Sequence, residues 1–189
     1  MSDIPILIFE NISSWEDWLE KHHRDSDGLW VQFAKKNSDV KSMTYEKALH
    51  AALCFGWIDS QAKKHNDTSY LRKFTPRRAK SIWSKNNIKH VEQLQKEGKM
   101  KPQGVKEVED AKKDGRWQNA YDSPSSSSIP EDFLNELKKN KKAYEFFMTL
   151  TKTNLYAISW RLQTAKKPQT RMKRMSAILT MLSNSEKFH

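Results

Sequence analysis

TYEKALHAALCFGWIDSQAKKHNDTSYLRKFTP, residues 44–76, is the stretch that decides the fold. Thr44 carries the hydroxyl that accepts a backbone N–H at a helix start. Ala48, Leu49, Ala52 and Leu53 then recur at the three-and-four spacing of one buried helix face. The pattern predicts a helix from Tyr45 to Phe55, ended by Gly56, the residue type that most easily takes the left-handed conformation. Beyond it the period changes to two. Trp57–Ser60 and Ser69–Thr75 alternate as strands do, on either side of a polar Lys63–Asp67 turn, and a β-hairpin from Trp57 to Thr75 is expected. Tyr70, Arg72 and Phe74 fall on one face of its second strand, Leu71 and Lys73 on the other. Pro76 closes the hairpin because it brings no N–H to a continuing ladder.

Working outward toward the amino terminus, Ile4–Phe9 is a short apolar run of β type. Ser13-x-x-Glu16 has the form of a capping box, and Trp15, Trp18, Leu19 and His22 share one face of the helix that should follow. Asp27-Gly28 marks a turn, and Leu29–Ala34 alternates, with Trp30 opposite Val31 and Phe33. In the other direction, Arg77, Arg78 and Lys80 come straight after the proline. Ser84 is placed as an N-cap, with Trp83 and Ile88 as a hydrophobic staple, for a helix running to Gly98. Lys101-Pro102 opens a further helix that ends at Gly115. Residues 123–130 are rich in Ser and Pro and read as a flexible linker; residues 131–189 show only helical apolar patterns, interrupted at Pro168. The expected architecture is α+β: a small antiparallel sheet with packed helices in residues 1–122, the 123–130 linker, and a helical carboxy-terminal part in residues 131–189.

Charge is distributed unevenly. Lys and Arg total 34 against 23 Asp and Glu, a net +11. Residues 1–59 hold 6 basic and 10 acidic side chains, residues 60–90 hold 9 and 1, residues 91–130 hold 7 and 7, and residues 131–189 hold 12 and 5. The excess at 60–90 suits an anionic partner, and a solvated basic surface explains it equally well. The single cysteine, Cys54, excludes an intrachain disulfide and fits a reducing compartment; its apolar helical setting marks a buried structural thiol. The opening MSDIPILIFENI has no secretory leader pattern, and no window approaches the roughly 18 apolar residues of a membrane span. A cytoplasmic protein without membrane insertion is expected.

Chemistry concentrates between residues 57 and 87. Arg72, Lys73, Arg77 and Arg78 are interleaved with Tyr70, Phe74 and Trp83. Guanidinium forks grip phosphate or carboxylate, and aromatic faces stack on a base or sugar. The start of the Ser84 helix adds free N–H groups. The competing reading pairs these arginines internally, holding layers together. Asp59 and Ser60 have no histidine at a triad spacing, and Asp59 is read as orienting an arginine. There is no G-x-S-x-G, Gly-rich phosphate loop or dinucleotide fingerprint. Six histidines without paired spacing, with one cysteine, speak against zinc. Arg171 and Arg174 share a face of the last helix and suit a second anion contact. The candidate ligand-binding residues are Trp57, Asp59, Ser60, Arg72, Arg77, Arg78, Ser81, Trp83, Ser84, Asn87 and Arg171; no cofactor and no metal are called for.

The ordered series Ala52-Leu53-x-Phe55-Gly56-Trp57-Ile58-Asp59-Ser60, Phe74-Thr75-Pro76-Arg77-Arg78, Ser81-x-Trp83-Ser84-Lys85-x-Asn87 and Thr170-Arg171 resembles the YdeI/OmpD-associated, or bacteriocin-protection, family. The likeness extends from Trp15 to the carboxy-terminal helices. It implies a part in bacteriocin protection or envelope stress, with no established reaction. It also implies an association with an outer-membrane porin, and a cytoplasmic protein would not touch a mature porin directly. Related domains have been linked to iron handling. The leading expectation is a non-catalytic stress or bacteriocin-protection protein whose Arg77/Arg78/Trp83 cluster binds an anion: a nucleotide, a phosphometabolite or nucleic acid. The alternatives are an enzyme using Asp59 as acid/base and the arginines as oxyanion clamps on a phosphate- or carboxylate-bearing substrate, and an iron-handling protein with carboxylate ligands.

Overall fold

The computed structural model describes residues 4–188. In chain order its elements are β1 (Ile6–Ile8), α1 (Ile12–His22), β2 (Leu29–Ala34), α2 (Tyr45–Cys54), β3 (Trp57–Lys64), β4 (Ser69–Pro76), α3 (Lys85–Lys96), α4 (Pro102–Lys113), α5 (Glu131–Lys138), α6 (Lys141–Phe147), α7 (Lys152–Gln163) and α8 (Pro168–Ser183). The fold is α+β with a helical carboxy-terminal part. The chain divides into two compact units, one running to Trp83 and resuming at Asn87–Asn119, the other made of Ser84–Asn86 and the residues from Ala120 onward.

In the first unit the 44–76 stretch forms the expected helix, Gly56 stop and hairpin, but β3 runs on to Lys64 past a bulge between Asp59 and Ala62, where the turn is expected from Lys63. The Thr44 hydroxyl accepts the Lys47 N–H at 3.4 Å and starts α2. At the far end Gly56 turns the chain with φ +74°, and a Cβ there would press on the Glu107 side chain at 3.0 Å. Only glycine meets both conditions without strain. The Gly56 carbonyl then accepts the Arg77 N–H at 3.0 Å, so the corner is fastened to the far end of the hairpin.

The strand order is β1-β2-β4-β3. β2–β4 and β4–β3 are antiparallel, as expected, whereas β1–β2 is parallel, which makes the sheet mixed. The reason is the connection: a whole helix, α1, lies between β1 and β2 and returns the chain to the same end of the sheet. The cap of α1 also differs from expectation. Asn11, not Ser13, starts the helix, its Oδ1 accepting the Ser14 N–H at 3.0 Å; asparagine caps as well as serine and here stands where the chain leaves β1.

Register sorts the side chains onto two faces. Leu29, Val31 and Phe33 pair with Phe74, Arg72 and Tyr70 on the face that receives the helices. Trp15 lies at 5.6 Å from Phe74 and donates its indole N–H to the Ala48 carbonyl at 3.0 Å, while Tyr45 of α2 meets Phe33 edge-on. The opposite face carries Ile6, Ile8, Trp30, Gln32, Leu71, Lys63 and Lys73.

The second unit has its own apolar core of Phe133, Leu137, Ala143, Phe147, Leu150, Ile158, Leu162, Ile178 and Leu182. Asn140 and Thr151 cap α6 and α7 through their side chains. The Ser/Pro-rich residues 123–130 lie within this unit, where the Ser127 hydroxyl donates to Ser159 and the Ser159 hydroxyl donates to the Ser128 carbonyl, both at 2.7 Å. Ser84–Asn86 belongs here through the Lys85 N–H to the Tyr121 carbonyl at 2.8 Å and the Lys85–Asp122 ion pair at 2.7 Å.

Candidate functional site

The two adjacent arginines that follow the hairpin go separate ways. Arg77 is 7% exposed and lays its guanidinium flat over the Trp83 ring, 3.6 Å from the centroid. Trp83 is enclosed as well and packs against Trp117. Arg116, also buried, is gripped by the Asp114 carboxylate at 2.7 Å and donates to the Ser81 carbonyl at 3.1 Å. Burial pushes the Glu107 carboxyl up, while the charges of Lys106, Arg116 and Arg77 draw it down. Arg77 and Trp83 thus form a buried cation–indole pair, and Arg116 ties Ser81 to Asp114, contacts that hold elements together.

Arg78 is exposed. Its backbone N–H donates to the Ser81 hydroxyl at 3.1 Å, which folds residues 78–81 into a turn and leaves the side chain outside. Arg78 lines an open cleft of about 550 Å³ at the end of β4 with Ile4, Asp27, Lys73, Thr75, Pro76 and Arg77. Lys73 points there because it occupies the face of β4 opposite Arg72. Asp27 is brought to the rim by Gly28, whose Cα lies so near β4 that a Cβ would meet the Phe74 carbonyl at 2.6 Å. Lys73 and Arg78, with the Thr75 hydroxyl and the Asp27 carboxylate, line a cleft able to hold a small multivalent anion.

Asp59 is committed elsewhere. Its Oδ2 accepts from the Tyr45 hydroxyl at 2.8 Å and from Arg72 at 3.3 Å, and the Arg72 guanidinium lies over the Tyr45 ring at 4.6 Å. Burial, with the neighbouring carboxylate, pushes the Tyr45 phenol well up. Asp59 thus orients an arginine, and it lines neither the Lys73–Arg78 cleft nor the larger cavity described below. Trp57 is core: 1% exposed, edge-on to Trp18, its indole N–H donated to the His23 carbonyl at 3.1 Å. Ser60 sits at the β3 bulge between Asp59 and Ala62, exposed, with its hydroxyl 3.5 Å from the Lys73 carbonyl. Ser84 is buried and bridges to Tyr121, Asn87 lies in the first turn of α3, and Arg171 forms a two-pronged pair with Asp132 inside the second unit.

A second feature lies outside the candidate site residues. Helices α1, α2 and α3, with residues 98–101, enclose a cavity of about 740 Å³ lined by Ile12, Glu16, Asp17, Glu20, Ala51, Cys54, Phe55 and Leu94, among others. Within it the His50 and His90 rings are joined by a hydrogen bond of 2.8 Å. Burial and then His50 hold His90 below the usual imidazole range, and burial pushes the Cys54 thiol up to about 11. The two histidines are 40 positions apart, so no local spacing could announce them; only the packing of α3 beside α2 does so. Among the described residues no group of three His, Cys, Asp or Glu side chains is placed to hold a metal ion, and no helix is long and apolar enough to cross a membrane.

Residues 7–107 match the family model described as a domain of unknown function (DUF8412), and residues 126–185 match the model described as "Bacteriocin-protection, YdeI or OmpD-Associated". The first match spans more than half of the 189 residues and contains the 52–87 series. The second contains Arg171 and bears out the resemblance to the bacteriocin-protection family in the helical part of the chain. No curated protein and no solved structure matches the chain.

Proposed function

This chain belongs to a domain family of unknown function (DUF8412), and because that description assigns no activity, we propose a function from the site itself: a non-catalytic, cytoplasmic anion-binding protein of bacteriocin-protection type. The bacteriocin-protection part comes from the description of the family matched by residues 126–185. The observation that carries the anion reading is the cleft at the end of β4, lined by Lys73, Thr75 and Arg78, with Asp27 as the acidic residue among the described lining residues. Arg77 supports the cleft from its buried seat on Trp83 and is not the group that meets the ligand. Ligands with phosphate or clustered carboxylate groups fit this charge pattern.

The test is calorimetric titration with pyrophosphate. Lys73→Ala combined with Arg78→Ala is expected to weaken binding about tenfold or more while leaving the melting temperature in place. Unchanged affinity in that double variant would remove the assignment. Asp27→Asn should act in the opposite direction and tighten binding, because it deletes the carboxylate that lines the cleft among the described residues.

A second reading is favoured by the helical cavity. A volume of about 740 Å³ with an apolar floor and a paired imidazole edge is of the size that holds a small organic molecule. An apolar small-molecule library screened by thermal shift tests it, with Ala51→Phe as the blocking variant; hits that survive the block would place binding elsewhere. The acid/base reading of Asp59 loses its support, since its carboxylate is spent on Tyr45 and Arg72.

A further inference from the structure

The sheet face opposite the helices poses a question that the cleft alone does not. Ile6 and Ile8 are 46% and 43% exposed, an uncommon state for β-branched side chains on a strand. Register sets Trp30 beside Ile6 on one side and beside Lys73 on the other. Trp30 is only partly buried, and the Lys63 ammonium lies 4.2 Å from its ring centroid. Lys63 is exposed and shares the face through its pairing with Leu71. Lys73 lies both on this face and in the cleft with Arg78.

We propose that this face, continuous with the cleft, is a platform for single-stranded nucleic acid, with a base stacked on Trp30 and phosphates held by Lys63, Lys73 and Arg78. The proposal rests on the anion-binding reading given above and names the ligand class. The chemistry follows from the mixture on the face. Cations alone would take any polyanion; the partly exposed indole and the two isoleucines ask in addition for flat, partly apolar groups. Unpaired bases joined by phosphates supply both, whereas in a duplex the bases are stacked out of reach. Lys63 already shows that the indole face attracts a cation, and an arriving base would move the ammonium toward the adjoining phosphate. Charge complementarity selects the occupant: Lys63 and Lys73 stand on this face and Arg78 in the adjoining cleft.

The experiment is fluorescence anisotropy of the full chain with a labelled oligothymidylate of about 12 nucleotides, run beside the oligouridylate and a duplex of the same length. The single strand should bind more tightly than the duplex, and affinity should fall with salt along a slope that becomes shallower by roughly one phosphate for each lysine removed. Trp30→Ala should weaken binding about tenfold, and Trp30→Phe should recover most of the loss. Lys63→Ala, at an exposed position, gives the same test without touching the core. Three results overturn the proposal: Trp30→Ala and Lys63→Ala both binding as the parent does, duplex binding as tightly as single strand, or polyglutamate competing as well as the oligonucleotide. If the oligonucleotide fails to bind while pyrophosphate still does, the nucleic-acid inference falls and the anion cleft stands. If neither binds, both fall.

Discussion

Arg77 and Arg78 are neighbours in the chain and belong to two different kinds of region. Around Arg77, the guanidinium covers one buried indole that packs against a second, and there charge serves cohesion. Around Arg78, Lys73 and Lys63, the same charge stands at the surface beside a partly exposed tryptophan, open to a partner. A count of basic residues cannot tell the two apart. Burial does: a cation removed from water stays only if its neighbours replace the water, and those neighbours then occupy it.

The largest effect expected from this contrast is the loss of the buried cation. Arg77→Ala deletes the group that covers Trp83 and should cost about 3 kcal/mol in chemical denaturation, whereas a loss below about 0.5 kcal/mol would mean that the layer does not depend on it. Next comes Asp59. Asp59→Ala strands the half-buried Arg72 and frees the Tyr45 hydroxyl, for an expected cost of about 1–2 kcal/mol. Asp59→Ala should leave pyrophosphate affinity where it was, because Asp59 is not part of the cleft.

A smaller effect separates the helical cavity from both regions. His90 holds a proton less readily in the folded protein than in the unfolded chain, so its contribution to stability is complete above an ordinary imidazole value of about 6.5 and is lost as pH falls through its lowered one. The melting temperature of the parent should therefore drop as pH falls below about 6.5, and His90→Asn should flatten that part of the profile. A profile unchanged by the substitution would remove the linkage. The smallest effect is the mirror of the first: Arg78→Ala should change stability by less than about 0.5 kcal/mol while weakening anion binding.

Much of the architecture was legible because it rests on local rules. The Thr44 cap, the Ala48/Leu49/Ala52/Leu53 stripe, the Gly56 stop and the alternation through Ser69–Thr75 each act within a few residues, and the structure follows them. The parallel pairing of β1 was not legible, since it depends on where α1 returns the chain. The site was readable in part. Composition located the 60–90 stretch and paired Asp59 with an arginine, but it placed Arg77 and Arg78 in one cluster. It left Trp30 outside the candidate set, although its place opposite Val31 and Phe33 was already set by alternation. The His50–His90 pair, formed by two helices distant in sequence, left no trace in spacing. Arg171, grouped with the central motif by type, is engaged by Asp132 in the other unit.

The most direct test is residue-resolved. In a titration of the ¹⁵N-labelled protein with pyrophosphate, followed by amide chemical shifts, the largest changes should fall on Lys73–Ser81 and on Asp27. Changes centred instead on residues 12–20 and 90–101 around the helical cavity, or spread evenly over the basic surface, would contradict the account.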